Sequence, residues 1–216
     1  MTTTYQTESP DVDMGFTAER FPLGLHMCYV FNNDDERHEV MSRFINKGLD
    51  ADEFVGYFAD VDTHDMVDDY LADMGIRVPD TAQRPNTLFQ RARDVYCPDN
   101  HFSPEHMLRQ LRALHAKCHA DCHHELRVTG EMSWALLPDV TGAERLIEYE
   151  ARTNLLFETH PLTAICQYDA TKFDGATIFK VLKVHPVMVV RGQIVRNPYY
   201  VPAREYLASQ GLPIEA

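Results

Sequence analysis

Apolar residues along the chain follow two rhythms. Short unbroken apolar runs bounded by turn residues alternate with longer stretches in which apolar positions recur every three to four residues. The first run, LHMCYVF from Leu25 to Phe31, stops at Asn32 and Asn33 and predicts a strand ending in a turn. Asparagine caps and the acidic first turn Asp34, Asp35, Glu36 then open a helix with the stripe Val40, Met41, Phe44 and Ile45, and Gly48 suits its stop. EFVGYFAD, Glu53 to Asp60, reads as a second buried strand. Thr63 caps a helix carrying Met66, Val67, Tyr70, Leu71 and Met74, and IRVP after it suits a short strand.

Residues 79 to 102, rich in Pro, Asn and Asp, read as an irregular excursion across the sheet edge. Ser103 and Pro104 start a helix with Met107, Leu108, Leu111 and Leu114. LRVTGEMSWALL, 126 to 137, is the next strand. Thr141 to Glu144 forms a capping box ahead of a helix through Leu146, Ile147, Tyr149, Ala151 and Leu155. LTAICQYD is a further buried strand, a helix follows around Ala176 to Val184, and VMVVRGQIVR reads as a hairpin with Gly192 and Gln193 in a type II′ turn. The expected fold is therefore α/β and three-layered: a mostly parallel sheet with helices on both faces and an antiparallel edge hairpin. Residues 1–21, polar and without period, read as a flexible tail before a single domain over 22–216.

Composition narrows the function. Lys plus Arg total 20 against 33 Asp plus Glu, a formal charge of -13, which argues against direct contact with nucleic acid. The N-terminus has no basic or apolar leader and no stretch is long enough to span a membrane, so a cytoplasmic location is expected. Five cysteines, Cys28, Cys97, Cys118, Cys122 and Cys166, are an odd number scattered through a long chain, which disfavours a disulfide framework.

Several segments together carry a resemblance. HMCYVFNNDDE with FINKGLDADEFVGYFAD, LRVTGEMSWAL, EYEARTN, CQYD and HPVMVVRGQIVRNPYY occur in an order that resembles the MEDS domain, the methanogen and methylotroph sensory domain of DcmR-type regulators. The resemblance covers about residues 22 to 202. It implies sensory ligand binding in prokaryotic signal transduction, with simple hydrocarbon derivatives as ligands and no catalytic residues. As the chain carries neither a kinase core nor a helix-turn-helix, it is expected to be a stand-alone sensor signalling by contact with a separate kinase or transcription regulator, with homo-oligomerisation open. The layout also resembles a RecA/KaiC-type ATPase core. A P-loop, however, needs G-x-x-x-x-G-K-[ST] after the first strand, and the turn here is NNDDERHE, without glycine or lysine and with carboxylates where phosphates would sit. A degenerate ATPase is the third-ranked reading.

Candidate ligand-binding residues follow from strand positions. Arg127 and Glu131 share a face by alternation and either form an internal ion pair or line a pocket, with Trp134 as an apolar wall and the charges orienting a ligand. Cys166, Tyr168 and Asp169 end a strand at the carboxyl edge, where α/β sheets concentrate their sites. On the next-to-last helix, Tyr149, Glu150 and Asn154 share a face, and His185 and Asn197 each precede a proline and so set loop geometry.

The segment HAKCHADCHHE supplies the second-ranked reading, a metal or redox sensor. At about 100° per residue, His115, Cys118, His119 and Cys122 face one way, and thiolate with imidazole suits a transition metal. C-x-x-x-C-H is also a lengthened variant of a haem-attachment sequence. Against this, Leu108 and Leu111 lie in line with His115, Cys118 and Cys122, so the cysteines prolong a buried stripe. Positions seven apart are also ~10 Å apart along the axis and cannot meet at one ion without outside ligands.

Overall fold

The computed structural model describes residues 11–79, 86–121 and 125–216. Nine strands and seven α-helices are assigned among them. The strands are β1 (Asp11–Asp13), β2 (Arg20–Pro22), β3 (His26–Phe31), β4 (Phe54–Ala59), β5 (Thr87–Arg91), β6 (Leu126–Glu131), β7 (Thr163–Asp169), β8 (Val187–Val190) and β9 (Gln193–Arg196). The helices are α1 (Asp34–Asp50), α2 (Val67–Asp73), α3 (Ala92–Tyr96), α4 (Pro104–Ala120), α5 (Leu146–Phe157), α6 (Gly175–Val184) and α7 (Ala203–Ser209).

A seven-stranded sheet in the order β5-β4-β6-β7-β3-β8-β9 forms the middle layer. Every pairing is parallel except β8 with β9, the antiparallel edge hairpin. The expected three-layer α/β architecture is the observed one. Every residue of β4 and β6 is buried, because helices cover both faces and leave no solvent side for a polar alternation. One face packs Met27, Tyr29, Val55 and Tyr57 against α1 and α2; the other packs Cys28, Phe54, Val128 and Cys166 against α3 to α6.

Several local expectations are corrected. Of the tail expected over residues 1–21, residues 1–10 lie outside the described residues, while from Asp11 on the chain is structured: β1 and β2 form an antiparallel pair, and Val12, Met14 and Phe16 are buried, with the Phe16 and Phe44 rings 6.4 Å apart. The alternation in DVDMGF carried that signal. The strand from 126 ends at Glu131, and Met132–Leu136 is a 3-10 turn. The stretch 79–102 contains the edge strand β5 and the short helix α3. The turn before α5 is capped by Gly142 in the left-handed region, with no side-chain cap from Thr141. In the edge hairpin the central residues are Arg191 (φ 49) and Gly192 (φ 66), and two positive φ values make a type I′ turn. Two caps stand as read: Asn33 Oδ1 accepts from the Glu36 amide, and Ser103 Oγ accepts from the His106 amide.

Candidate functional site

Four side chains from four separate elements converge between the sheet and α5. His26 begins β3, Cys166 lies mid-way along β7, Glu150 projects from α5, and His185 follows the last turn of α6. Strand pairing explains half of this: β3 and β7 are neighbours, Cys28 is registered opposite Cys166, and alternation turns His26, Cys28, Cys166 and Tyr168 to the α5 face. Pro186 holds His185 in an extended conformation (φ -113, ψ 119), which ends α6 and turns the ring inward.

The geometry is tight. The ligating atoms of His26, Glu150, Cys166 and His185 all lie within 4.8 Å of one another, and all four residues are buried. His26 Nε2 is 3.1 Å from Glu150 Oε2, and His185 Nε2 is 3.5 Å from the same oxygen. Cys166 Sγ is 3.5 Å from both His26 Nε2 and Glu150 Oε2. The other carboxylate oxygen, Oε1, accepts the Tyr168 hydroxyl. Neighbouring groups fix the rings from behind. His185 Nδ1 donates to the Val181 carbonyl at 2.8 Å. Asn154 directs its amide nitrogen to the carbonyls of Glu150 (3.0 Å) and Val184 (2.8 Å), which leaves its Oδ1 to accept from His26 Nδ1 at 3.2 Å.

Electrostatics follow from burial and crowding. Burial raises the Glu150 carboxyl, but His185 and His26 outweigh it and hold the group well below the usual carboxylate range. Burial lowers His26, and His185 lowers it further, against the pull of Glu150. Burial and the Glu150 charge push the Cys166 thiol well up, and the same two causes take Cys28 to about 12.

The residues singled out from the sequence are distributed rather than gathered. Cys166 and Tyr168 join the cluster. Arg127 and Glu131 do share a face, but it is the opposite one, and they do not pair. Arg127 is fully buried, ion-paired with Glu53, and donates to the Phe44 carbonyl at 2.6 Å. Glu131 accepts from Tyr57 and Tyr70, each at 2.9 Å, and lies 3.1 Å from Arg37. Trp134 stacks on Tyr96 at 5.0 Å inside the core, and Asp169 caps the turn to Thr171 at 2.8 Å. These six residues therefore do not line one pocket. On α4, the Cys118 thiol turns inward and donates to the Glu125 carbonyl, whereas the His115 and His119 imidazoles meet each other at 3.1 Å and His115 stands 5.3 Å from the His160 ring. Cys122 lies outside the described residues.

His26 and His185 were not singled out as ligating groups, and Glu150 and Asn154 only as a shared helix face. The available signals were the even spacing of His26, Cys28 and of Cys166, Tyr168 on two neighbouring strands, and a histidine locked before a proline.

A second feature is a cleft of about 480 Å³ on the same side of the sheet, between α4, α3 and the β4–β5 edge. Phe54, Phe58, Leu88, Val95, Met107 and Leu114 contribute to its apolar wall. At the amino end of α1, where a P-loop would hold phosphate, Asn33 and Asp34 to Glu36 occupy the turn.

A sequence model of the MEthanogen/methylotroph, DcmR Sensory domain (MEDS) matches residues 25–186. The chain belongs to the MEDS family. It is thus a sensory domain of signal transduction. This MEDS chain is 36% identical over 80 residues to the transcriptional repressor DcmR of Methylorubrum extorquens (strain DSM 6343 / CIP 106787 / DM4), a match covering 37% of the chain and 30% of the repressor. The MEDS fold is similar to a KaiC-like protein from Pyrococcus horikoshii OT3, with a TM-score of 0.59, 14% identity, and coverage of 83% of this chain and 79% of that one. It is also similar to the flagellar accessory protein FlaH of Methanocaldococcus jannaschii, at TM-score 0.55, 9% identity, and 80% and 76% coverage. At those identities the likeness concerns the fold, which is KaiC/RecA-like. Among the described residues no helix is long and apolar enough to cross a membrane.

Proposed function

We propose that this MEDS domain is a non-enzymatic cytoplasmic sensor that binds a small, hydrocarbon-derived ligand and signals by contact with a transcription regulator. The observation that supports this reading is the pairing of a lost phosphate site with a retained apolar cleft. The turn before α1 is acidic and capped by its own Asn33, so it repels a nucleotide's phosphates. The cleft beside α4 has the volume of a small-molecule pocket, which commonly falls in the range of about 300–1,000 Å³. Its walls are largely aromatic and aliphatic, with Gln90, Asp94, His106, Gln110 and Lys117 to orient the polar group of a ligand. The name of the relative DcmR supports a transcription regulator as the kind of protein served. Exposed Phe179, Val190, Val195 and Tyr199 around α6 and the edge hairpin offer the contact surface.

The test is thermal unfolding of the chain with a panel of short alcohols, haloalkanes and single-ring aromatics. A ligand at 100 times its Kd stabilises by about 2.7 kcal/mol, or about 5–11 °C for a domain of this size. Leu114→Trp, placed in the cleft wall, should abolish the shift. No response to any member of the panel, or an undiminished one in Leu114→Trp, would overturn the assignment.

A further inference from the structure

The fourfold cluster has a chemical inconsistency that a cation resolves. Asn154 is oriented by two backbone carbonyls and can only accept from His26 Nδ1; His185 Nδ1 is likewise committed to the Val181 carbonyl. Where the rings are neutral, each therefore carries its proton on Nδ1 and turns the Nε2 lone pair inward. Both lone pairs face Glu150 Oε2, itself an acceptor, at 3.1 and 3.5 Å. His185 Nε2 has no hydrogen-bond partner although the residue is fully buried. Acceptors pressed against an acceptor in a water-free interior are costly unless something positive sits between them. One proton can serve one nitrogen; a metal ion serves all four groups at once.

We propose that His26, Glu150, Cys166 and His185 hold one divalent transition metal of the zinc class in a closed, four-coordinate site. Tetrahedral zinc with bonds of about 2.0–2.3 Å places its ligand atoms about 3.3–3.8 Å apart. Four of the six separations, 3.1 Å for His26 to Glu150 and 3.5 Å for His185 to Glu150, Cys166 to His26 and Cys166 to Glu150, lie close to that polyhedron, and all six are within 4.8 Å. A thiolate, a carboxylate and two neutral imidazoles around a dication sum to zero charge, which suits a fully buried position. The outer contacts are those of a metal site: each imidazole donates its remote N–H to a carbonyl oxygen, and the Glu150 carboxylate is held by Tyr168. All four coordination positions come from protein side chains, so the ion is structural or sensory in role rather than a hydrolytic centre. The site goes beyond the ligand-sensing reading and does not depend on it.

Cobalt(II) is the probe. The full chain, expressed without a polyhistidine tag and stripped by chelation, is titrated with cobalt and followed by absorption, with folding monitored by circular dichroism. The expected result is one cobalt per chain, intense tetrahedral d–d bands, a near-ultraviolet thiolate-to-cobalt band, and bleaching by zinc. Cys166→Ser should lose the thiolate band, and Asn154→Ala should weaken binding by about 10- to 100-fold because it releases the His26 ring and removes no ligand. Cys28→Ser and His115→Ala/His119→Ala should match the wild type. Folded wild type that takes up no cobalt would overturn the site, as would a thiolate band surviving Cys166→Ser or uptake lost in His115→Ala/His119→Ala. If Cys166→Ser does not fold, the wild-type spectrum and the Asn154→Ala affinity still decide.

Discussion

Replacing Arg127 with methionine tests whether this residue pins the fold or waits for a ligand. Arg127 is fully buried on the α1 face of β6; it ion-pairs with Glu53, donates to the carbonyls of Phe44 at 2.6 Å and Asp13 at 3.2 Å, and lies 4.8 Å over the Phe44 ring. It thus joins β6, α1, the turn after α1 and the β1–β2 pair. The α1 backbone approaches so closely that a Cβ on Gly48 would stand 2.6 Å from Arg127 Cδ. Arg127→Met keeps the apolar stem but strands Glu53, 6% exposed, without its cation. Breaking a buried pair in this way costs about 3–5 kcal/mol. Against a typical stability of about 5–15 kcal/mol this is a large fraction, and it corresponds to about 6–20 °C in Tm for a domain of this length. The double variant Arg127→Met/Glu53→Met removes both charges and should recover a good part of the loss. Urea unfolding of the wild type, both singles and the double, read by circular dichroism, completes the cycle. A loss under about 1 kcal/mol in Arg127→Met, the level of an exposed pair, would refute the structural assignment. So would a double variant no more stable than the singles.

Two further predictions concern nucleotide and acid. Magnesium-ATP should leave the unfolding temperature unchanged and show no turnover, since carboxylates and Asn33 fill the turn before α1; a dose-dependent shift would revive the ATPase reading. Side-chain hydrogen bonds from Arg145 hold Glu105 at about 2, below its ordinary 4.5, so the folded state binds fewer protons. The contribution of that contact is complete above the ordinary value and is lost as pH falls through the lower one. Glu105→Gln should therefore cost stability at neutral pH, by no more than about 1 kcal/mol for so exposed a pair, and flatten the acid limb so that variant and wild type converge as pH falls below the lower value, as an acid titration of unfolding midpoints would show.

The layer architecture was legible because β3, β4 and β7 are largely apolar runs between amphipathic helices, a pattern with few alternatives to a covered parallel sheet. What escaped was short or depended on long-range partners. Val12, Met14 and Phe16 alternate over too few residues to stand out against their polar neighbours, and their burial depends on Phe44 of α1. The strand from Leu126 turns aside at Met132 because Trp134 packs on Tyr96 and Phe102, contacts that local pattern does not contain. The candidate site was half legible. Cys166 and Tyr168 could be placed by alternation, and Glu150 with Asn154 by helical spacing. Their convergence with His26 and His185 required the strand order, which places β3 between β7 and β8. The dense HAKCHADCHHE segment drew attention because its residues are neighbours in sequence, yet helical geometry sends Cys118 inward and leaves His115 between His119 and His160.

The cluster also sets a schedule for the nascent chain. His26 and Glu150 are 124 positions apart and His26 and Cys166 are 140 apart, so none of these contacts is local. The first histidine leaves the ribosome well before its last partner. At about 5–20 residues per second, His26 waits roughly ten to thirty seconds for His185 to be synthesised. Until Thr163–Asp169 is made β3 has neither β7 nor β8 beside it, and β8 follows only after His185. Such high-separation contacts form late and slowly. Closure of this one cluster therefore waits for the end of α6, with only the edge hairpin and α7 still to come, and a chain cut anywhere between the two histidines cannot reach it.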